Sequence, residues 1–285
     1  MKKFTLPGLI IMSLLASCEK PVELTDPQVF LKVGDEYVFR FNDIALYDSS
    51  THIIYFKNTQ IGFDDLLEGK FTFFDMGDTL YSGSIVPGYS SYIPAGPFIF
   101  SPPHMYGNYT LRILLWMGND VRNDQRFIEV LKEHNLLRSG LSGTVNNVET
   151  DNSQLTFRFT ITNHDITDLR ILDINKTGPA LFHYFTNGVY LRDQDTHIVF
   201  SSTIAHQQPE PWDSWEPEWL STLKSGESML FTITYPIETP INPGEYNLSF
   251  EFPGLATQVS RDELVQGTGR IWLGDITLRS KITVP

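Results

Sequence analysis

Cysteine is almost absent from this chain, since its 285 residues contain only Cys18. A single thiol cannot form an intramolecular disulfide, and it cannot supply the thiolate set of a structural zinc site. Basic residues are also scarce: 21 Lys and Arg stand against 34 Asp and Glu, which gives a formal net charge of −13 at pH 7. An acidic surface repels nucleic acid, so we predict no nucleic-acid partner.

Familiar catalytic motifs are missing as well. The sequence contains no G-x-S-x-G elbow, no H-E-x-x-H pair and no Walker loop, and its seven histidines are scattered. We therefore predict no enzymatic activity, no catalytic residue, no metal and no cofactor. A hydrolase with an unrecognised carboxylate pair stays open as an alternative, because glycosidase carboxylates have no fixed spacing in sequence.

Long apolar runs are absent except at the N-terminus. Lys2 and Lys3 precede an apolar segment over 4–16, which is shorter than the roughly 20 residues that span a membrane. The small residues Ala16 and Ser17 then precede Cys18. This pattern predicts a cleavable signal peptide over residues 1–17.

The end of that segment, Leu15-Ala16-Ser17-Cys18, resembles the lipobox of bacterial lipoproteins. The resemblance implies that Cys18 is acylated, becomes the new N-terminus and holds the protein on a membrane through lipid. An ordinary secretory signal with a chance cysteine is the alternative. Glu19 and Lys20 loosely resemble export signals of Bacteroidota lipoproteins, which implies an outer-membrane lipoprotein on the cell surface or the periplasmic face.

Strand patterns fill most of the remaining chain. Short β-branched and aromatic runs alternate with clusters of Gly, Pro, Asn and Asp, as over 37–41, 71–74, 155–161 and 246–252. The five prolines over 86–105 predict an edge excursion, because proline donates no ladder hydrogen bond. The fold prediction is all-β, with two Ig-like β-sandwich domains in tandem joined by a helix.

The exception to the strand pattern is 119–137, which reads as a helix with Phe127, Val130 and Leu131 on one face and Gly140 as its stop. It predicts a linking helix, although a helix that caps the first sandwich fits equally well. The predicted organisation is a signal peptide over 1–17, a lipidated tether over 18–27, sandwich 1 over 28–118, the helix over 119–140 and sandwich 2 over 141–285.

The two predicted sandwiches resemble each other in sequence. Residues 107–113 and 244–250 share a Gly-x-Tyr-x-Leu pattern, which predicts that Tyr109 and Tyr246 bury their rings and return their hydroxyls to a turn backbone. Convergent strand composition is the alternative. Between matched landmarks, the second sandwich is about 19 residues longer than the first.

Part of sandwich 2 resembles a known family. The pieces that carry the resemblance are Phe157-Phe159-Ile161-Asn163, Leu191-Arg192-Asp193, Leu223-Lys224-Ser225-Gly226-Glu227-Ser228 and Pro243-Gly244-Glu245-Tyr246. They are similar to the Ig-like sandwich of the bacterial intracellular proteinase inhibitor family and cover about a third of the chain. The resemblance implies a fold and not an activity. An extra strand after Arg270 and a Trp-rich insertion depart from the pattern, so protease inhibition is not carried over.

The Trp-rich insertion over 206–219 is the candidate binding site. It contains three of the five tryptophans together with prolines and acidic residues, which keeps it from being a buried strand. Exposed indoles beside polar groups stack on sugars or form protein hot spots. The candidate ligand-binding residues are Gln208, Trp212, Asp213, Trp215 and Trp219. In the alternative interpretation, the tryptophans fold inward and fasten a long loop to the sandwich.

A second cluster, Asp193, Asp195 and His197, has the i, i+2, i+4 spacing that places side chains on one face of a strand. The same residues also read as a hairpin turn, and we favour the turn. The sequence as a whole predicts a lipid-anchored, non-enzymatic binding protein of the cell envelope. Its predicted partner is carbohydrate or, alternatively, an envelope protein, as in an adhesin or fimbria-associated scaffold.

Overall fold

The chain is built mainly of β-strands arranged in several sheets, as the sequence predicts for an all-β sandwich protein. The computed structural model describes residues 26–57, 68–101, 106–107, 109–151, 153–202, 204–212, 214–255, 259–260, 265–266 and 269–285. The signal peptide, Cys18 and most of the tether lie outside these residues, as does Asp213 in the Trp-rich insertion.

The first part of the chain, residues 26–138, forms two sheets among its described residues. Its strands are β1 Val29–Val33, β2 Tyr37–Arg40, β3 Ile44–Asp48, β4 Ile53–Phe56, β5 Gly69–Asp75, β6 Asp78–Pro87, β7 Pro97–Ser101, β8 Thr110–Arg112, β9 Leu114–Leu115 and β10 Leu137–Arg138. One sheet has the order β2-β1-β5-β6-β7-β9 and the other has the order β10-β3-β4-β8. All neighbouring pairs are antiparallel except β6–β7 and β3–β10.

The second part, residues 141–285, forms three sheets among its described residues. Its strands are β11 Leu141–Thr150, β12 Gln154–Asn163, β13 Asp168–Leu172, β14 Val189–Arg192, β15 Ile198–Ser201, β16 Leu220–Leu223, β17 Ser228–Pro236, β18 Gly244–Pro253, β19 Val265–Gln266, β20 Gly269–Ile271 and β21 Asp275–Val284. The sheet orders are β11-β12-β17, β16-β13-β20-β19 and β15-β14-β18-β21.

Alternating residues of these strands build two hydrophobic cores. In β12, side chains alternate between buried and half-buried from Leu155 onward, so Phe157 and Phe159 point inward. Their rings contact Phe250 of β18 at centroid distances of 5.1 and 4.9 Å, which packs one sheet face against another. In the first part, Phe30 and Phe73 pack with Phe127 in a separate aromatic core.

The helix is shorter than the sequence predicts. Helix α1 spans Gln125–Glu133, and Asp124 caps it by accepting a hydrogen bond from the Arg126 amide. A separate 3-10 turn covers Val121–Asn123, and Asn135 has a left-handed φ of 56° that ends the helical path. The prediction of a helix over 119–137 is therefore wrong at both ends.

The apolar face of α1 lies in the first core. Phe127, Val130 and Leu131 are at most 4% exposed and pack in the same cluster as residues of β1, β3 and β5. This face of the helix therefore covers the first core. Two short helices occur in the second part, α2 over Ile174–Thr177 and α3 over Pro179–Phe182.

The prediction of an edge excursion over 86–105 is wrong for part of that segment. Strand β7, Pro97–Ser101, lies between β6 and β9 and therefore has neighbours on both sides. Pro87 is the last residue of β6 and Pro97 is the first of β7. Proline at the end of a strand leaves the rest of the ladder intact, so the prolines delimit this strand without excluding it.

The two Gly-x-Tyr segments differ in their tyrosine contacts. The hydroxyl of Tyr246 donates to the carbonyl of Asn242 at 2.8 Å, four residues back in its own turn. The hydroxyl of Tyr109 instead donates to the carbonyl of Val259, in the other part of the chain. Only Tyr246 therefore forms the predicted local bond.

Buried ion pairs connect the two parts of the chain. Arg270 Nη2 donates to Asp48 Oδ2 at 2.5 Å and to Asp165 Oδ2 at 2.9 Å, and all three side chains are at most 4% exposed. Burial alone lowers the pKa of Arg270, but Asp48, Tyr55 and Asp165 together outweigh it and raise that pKa above its usual value. Arg112 of β8 also donates to Asp275 of β21 at 2.6 Å.

Candidate functional site

The Trp-rich insertion connects β15 to β16. Its three tryptophans have different environments: Trp212 is 66% exposed, whereas Trp215 and Trp219 are half-buried and pack against the second core. The structure therefore brings Trp215 and Trp219 to the sandwich and leaves Trp212 in solvent. The three indoles do not form one exposed aromatic surface.

Hydrogen bonds hold this loop against the short helices. The Gln207 amide donates to the Ala180 carbonyl of α3 at 3.0 Å. The hydroxyl of Tyr184, two residues after α3, donates to the Trp212 carbonyl at 3.3 Å. The ring of Trp219 lies 6.3 Å from that of Phe185. The carbonyl of Trp212 thus has a hydrogen-bond partner while its indole stays in solvent.

Exposed polar residues precede the exposed indole in the loop. Gln207, Gln208 and Glu210 have exposed side chains, and Pro209 between them is buried. Amide and carboxylate groups can bond the hydroxyls of a sugar whose apolar face rests on an indole ring. One exposed indole with flanking amides is the minimum arrangement for stacking one sugar ring.

The Asp193–His197 segment forms a hairpin turn between β14 and β15. The Asp193 amide donates to the His197 carbonyl at 3.0 Å, and Asp193 Oδ1 accepts the His197 amide at 2.8 Å. Thr196 takes a left-handed φ of 68°. A strand face carrying Asp193, Asp195 and His197 together does not form here.

One carboxylate pair bears on the hydrolase alternative. Glu251 of β18 is paired with Thr277 of β21. Asp275 stands two residues before Thr277, so it lies on the same sheet face as Glu251 and is its diagonal neighbour, about 7 Å away. Burial, followed by the negative charge of Asp275, raises the pKa of Glu251. However, Arg112 of the first part donates both to Asp275 at 2.6 Å and to the Tyr106 hydroxyl at 2.9 Å, so Asp275 contacts the first part of the chain.

Sequence reasoning missed a set of exposed apolar residues in the first part. Met76, Trp116 and Met117 are 79%, 70% and 54% exposed. Trp116 directly follows the apolar residues of β9 with no polar break, so composition alone assigns it to the core. Its exposure depends on where β9 ends at the edge of its sheet.

Comparisons with known proteins add little to this site. No protein-family model and no curated protein matches the chain. Similar solved structures include β-glucosidase from Kluyveromyces marxianus in complex with glucose, at 11% identity and a TM-score of 0.25, covering 51% of this chain and 14% of that one. Another is the yjhA protein from Bacillus subtilis, at 18% identity and a TM-score of 0.24, covering 50% and 92%.

A third similar structure is β-glucosidase 3B from Thermotoga neapolitana in complex with glucose, at 14% identity and a TM-score of 0.23, covering 50% of this chain and 15% of that one. The chain thus spans about one seventh of each β-glucosidase named here. These scores are too low to establish a shared fold or function. Within the described residues, no helix combines the length and hydropathy required to cross a membrane.

Proposed function

We propose that this protein is a lipid-anchored, non-enzymatic binding protein of the bacterial cell envelope, held on the outer membrane through Cys18. In this proposal the chain forms two Ig-like sandwiches in tandem and binds carbohydrate through the Trp-rich loop. The first hydrophobic core, which is built from residues of the first part alone, supports the tandem arrangement. The lipobox-like sequence before Cys18 supports the anchor.

The observation that carries the binding proposal is the exposure of Trp212 on a loop whose backbone makes hydrogen bonds to Ala180 and Tyr184. A core indole would be buried, and an indole on an untethered loop would lose conformational entropy on binding. Trp212 is 66% exposed, yet the Tyr184 hydroxyl holds its carbonyl. Such preorganisation favours ligand binding because less freedom is lost.

The test is Trp212→Ala in the full chain, assayed on a glycan array and then by calorimetry with the best glycan. If a sugar covers about 100 Å² of indole, the loss is about 2.5 kcal/mol, or roughly 70-fold in affinity. The melting temperature should stay unchanged, because the side chain is mostly in solvent.

The matched control is Trp116→Ala, which removes an indole of similar exposure, 70%, from the other part of the chain. It should leave glycan affinity unchanged. Equal losses in both variants would contradict a site at Trp212. Trp219→Ala should instead lower stability by about 2 kcal/mol, because its ring is half-buried against the second core.

The rival function is recognition of an envelope protein by the same exposed indole. Hot spots in protein interfaces are rich in tryptophan, and the flanking acidic residues of this loop would select a basic partner surface. Absence of glycan binding, together with an envelope-protein crosslink that Trp212→Ala abolishes and Trp116→Ala keeps, would favour this rival.

A further inference from the structure

Three exposed apolar residues of the first part lie toward one end of the six-stranded sheet, whereas the similarly exposed Tyr89 and Tyr92 lie in the β6–β7 connection. Met76 lies in the turn between β5 and β6. Strand β9 is antiparallel to β7, which is parallel to β6, so β9 runs back toward that turn. Trp116 and Met117, which follow β9, are therefore directed toward that turn, starting from Leu115, which is level with Gly83 and about four residues short of the turn. We call Met76, Trp116 and Met117 the tip residues.

The N-terminal tether enters at this end too. Strand β1 is antiparallel to β5, with Leu31 opposite Phe73. Extending this register places Val29 level with Asp75, directly beside the turn that holds Met76. The start of α1 lies at the same turn, because Arg126 Nη2 contacts Asp78 Oδ2 at 3.2 Å and Asp75 Oδ2 at 3.7 Å.

The tether is too short to hold this end far from its anchor. Asp26 stands eight positions after Cys18, and eight residues extend to about 30 Å at most. The lipidated residue and the tip residues therefore lie within one tether length of the same sheet end, whatever path the tether takes.

The charges at this end do not oppose a lipid surface strongly. Arg40 pairs with Asp26 at 3.0 Å, and Arg122 pairs with Asp120 at 2.8 Å. The third arginine of this end, Arg126, contacts both carboxylates of the β5–β6 turn. Tryptophan and other amphipathic residues favour the membrane–water interface, where a ring is partly in lipid and partly in water.

We propose that the tip residues form a membrane-contacting surface that seats the first part of the chain on the bilayer in which Cys18 is anchored. This proposal rests on the lipid anchor of the proposed function. It makes the attachment two-point: the acyl chains hold the protein, and Trp116 with Met76 and Met117 sets its orientation.

The test uses the full-length, processed protein in phosphatidylcholine vesicles that contain brominated acyl chains, which quench an indole only on close approach. The chain has five tryptophans, so full quenching of Trp116 alone should remove about a fifth of the total emission. Trp116→Phe should abolish the quenching. Trp212→Phe, the control with a similarly exposed indole, should keep it.

A second variant tests the surface without touching the reporter. Met76 has a left-handed φ of 48°, which asparagine also tolerates, so Met76→Asn removes an apolar group while keeping the turn. It should weaken the quenching of Trp116 by at least about half.

The outcomes separate the two proposals. If the wild-type protein does not float with vesicles, both the lipid anchor and the membrane seat are overturned. If it floats but Trp116→Phe does not change the quenching, only the membrane seat is overturned. Self-association in sedimentation that Trp116→Phe abolishes, with no quenching by brominated lipid, would assign the tip residues to a contact between copies and likewise overturn the seat.

Discussion

Replacing His52 by Asn should flatten the pH dependence of stability. His52 is 8% exposed, and its Nδ1 lies 2.7 Å from the hydroxyl of Tyr47. Burial, together with the positive charge of Arg122, lowers its pKa from 6.5 to about 3. The ring is therefore neutral in the folded protein, and the Tyr47 hydroxyl donates to it. Asparagine suits the position because His52 has a left-handed φ of 56°.

The sign follows from proton binding. Between pH 6.5 and about 3, the unfolded chain protonates this histidine and the folded chain does not, so stability falls as the pH falls. Going from about pH 8 to about pH 4.5, the two pKa values give a loss of about 3 kcal/mol from this group alone. At neutral pH and above, this contribution vanishes.

Urea unfolding at these two pH values measures the effect. Other groups, such as Asp120, also respond to acid, so the relevant quantity is the acid-induced loss in the wild type minus that in His52→Asn. We expect this difference to be about 3 kcal/mol. The control is His164→Asn, which removes an exposed imidazole and so measures the effect of losing a histidine that is not buried. If His52→Asn loses as much stability on acidification as the wild type, the assignment of His52 as a buried neutral base is wrong.

Two further substitutions test the packing. Arg270→Leu should destabilise the protein by about 3–5 kcal/mol in urea unfolding, because it leaves Asp48 and Asp165 buried without their cation; a loss below about 1 kcal/mol would contradict this role. Gly83→Ala should cost about 2 kcal/mol or more, since its Cβ would overlap a phenylalanine ring and a carbonyl of β7. Gly88→Ala, whose Cβ meets nothing closer than 3.7 Å, is the control, and an equal fall in melting temperature in both variants would refute the overlap.

Much of the secondary structure could be predicted from the sequence because it depends on local periodicity. The alternation in 155–161 predicts a strand with one buried face, and β12 has this pattern along its length. The helix was located correctly but overextended, because Asp124 caps it later than predicted and Asn135 takes a left-handed φ after its end, and periodicity records neither feature. The sequence does not predict β7, because prolines argue against a central strand and the sequence does not show that Pro97 is the first residue of the strand.

The candidate site was only partly predictable. The composition of 206–219 predicts an unusual loop rich in tryptophan, but it does not rank the three indoles. Trp215 and Trp219 turn inward because the second core offers them apolar partners, whereas Trp212 lies outside that core and is mostly in solvent. The exposure of Trp116 was missed for the converse reason, because its sequence context resembles that of a core residue.

The sequence by itself determined the β class of this protein, through the two-residue period of its strands, and the prediction of a lipid anchor, through the position of Cys18. Only the tertiary structure decided which aromatic residues face solvent and which charges are buried. Arg270 and Asp48 are 222 residues apart, and neither has a local pattern that marks it as half of a buried pair. Packing between strands that are distant in sequence decides which charges are buried, so a local sequence pattern does not predict it.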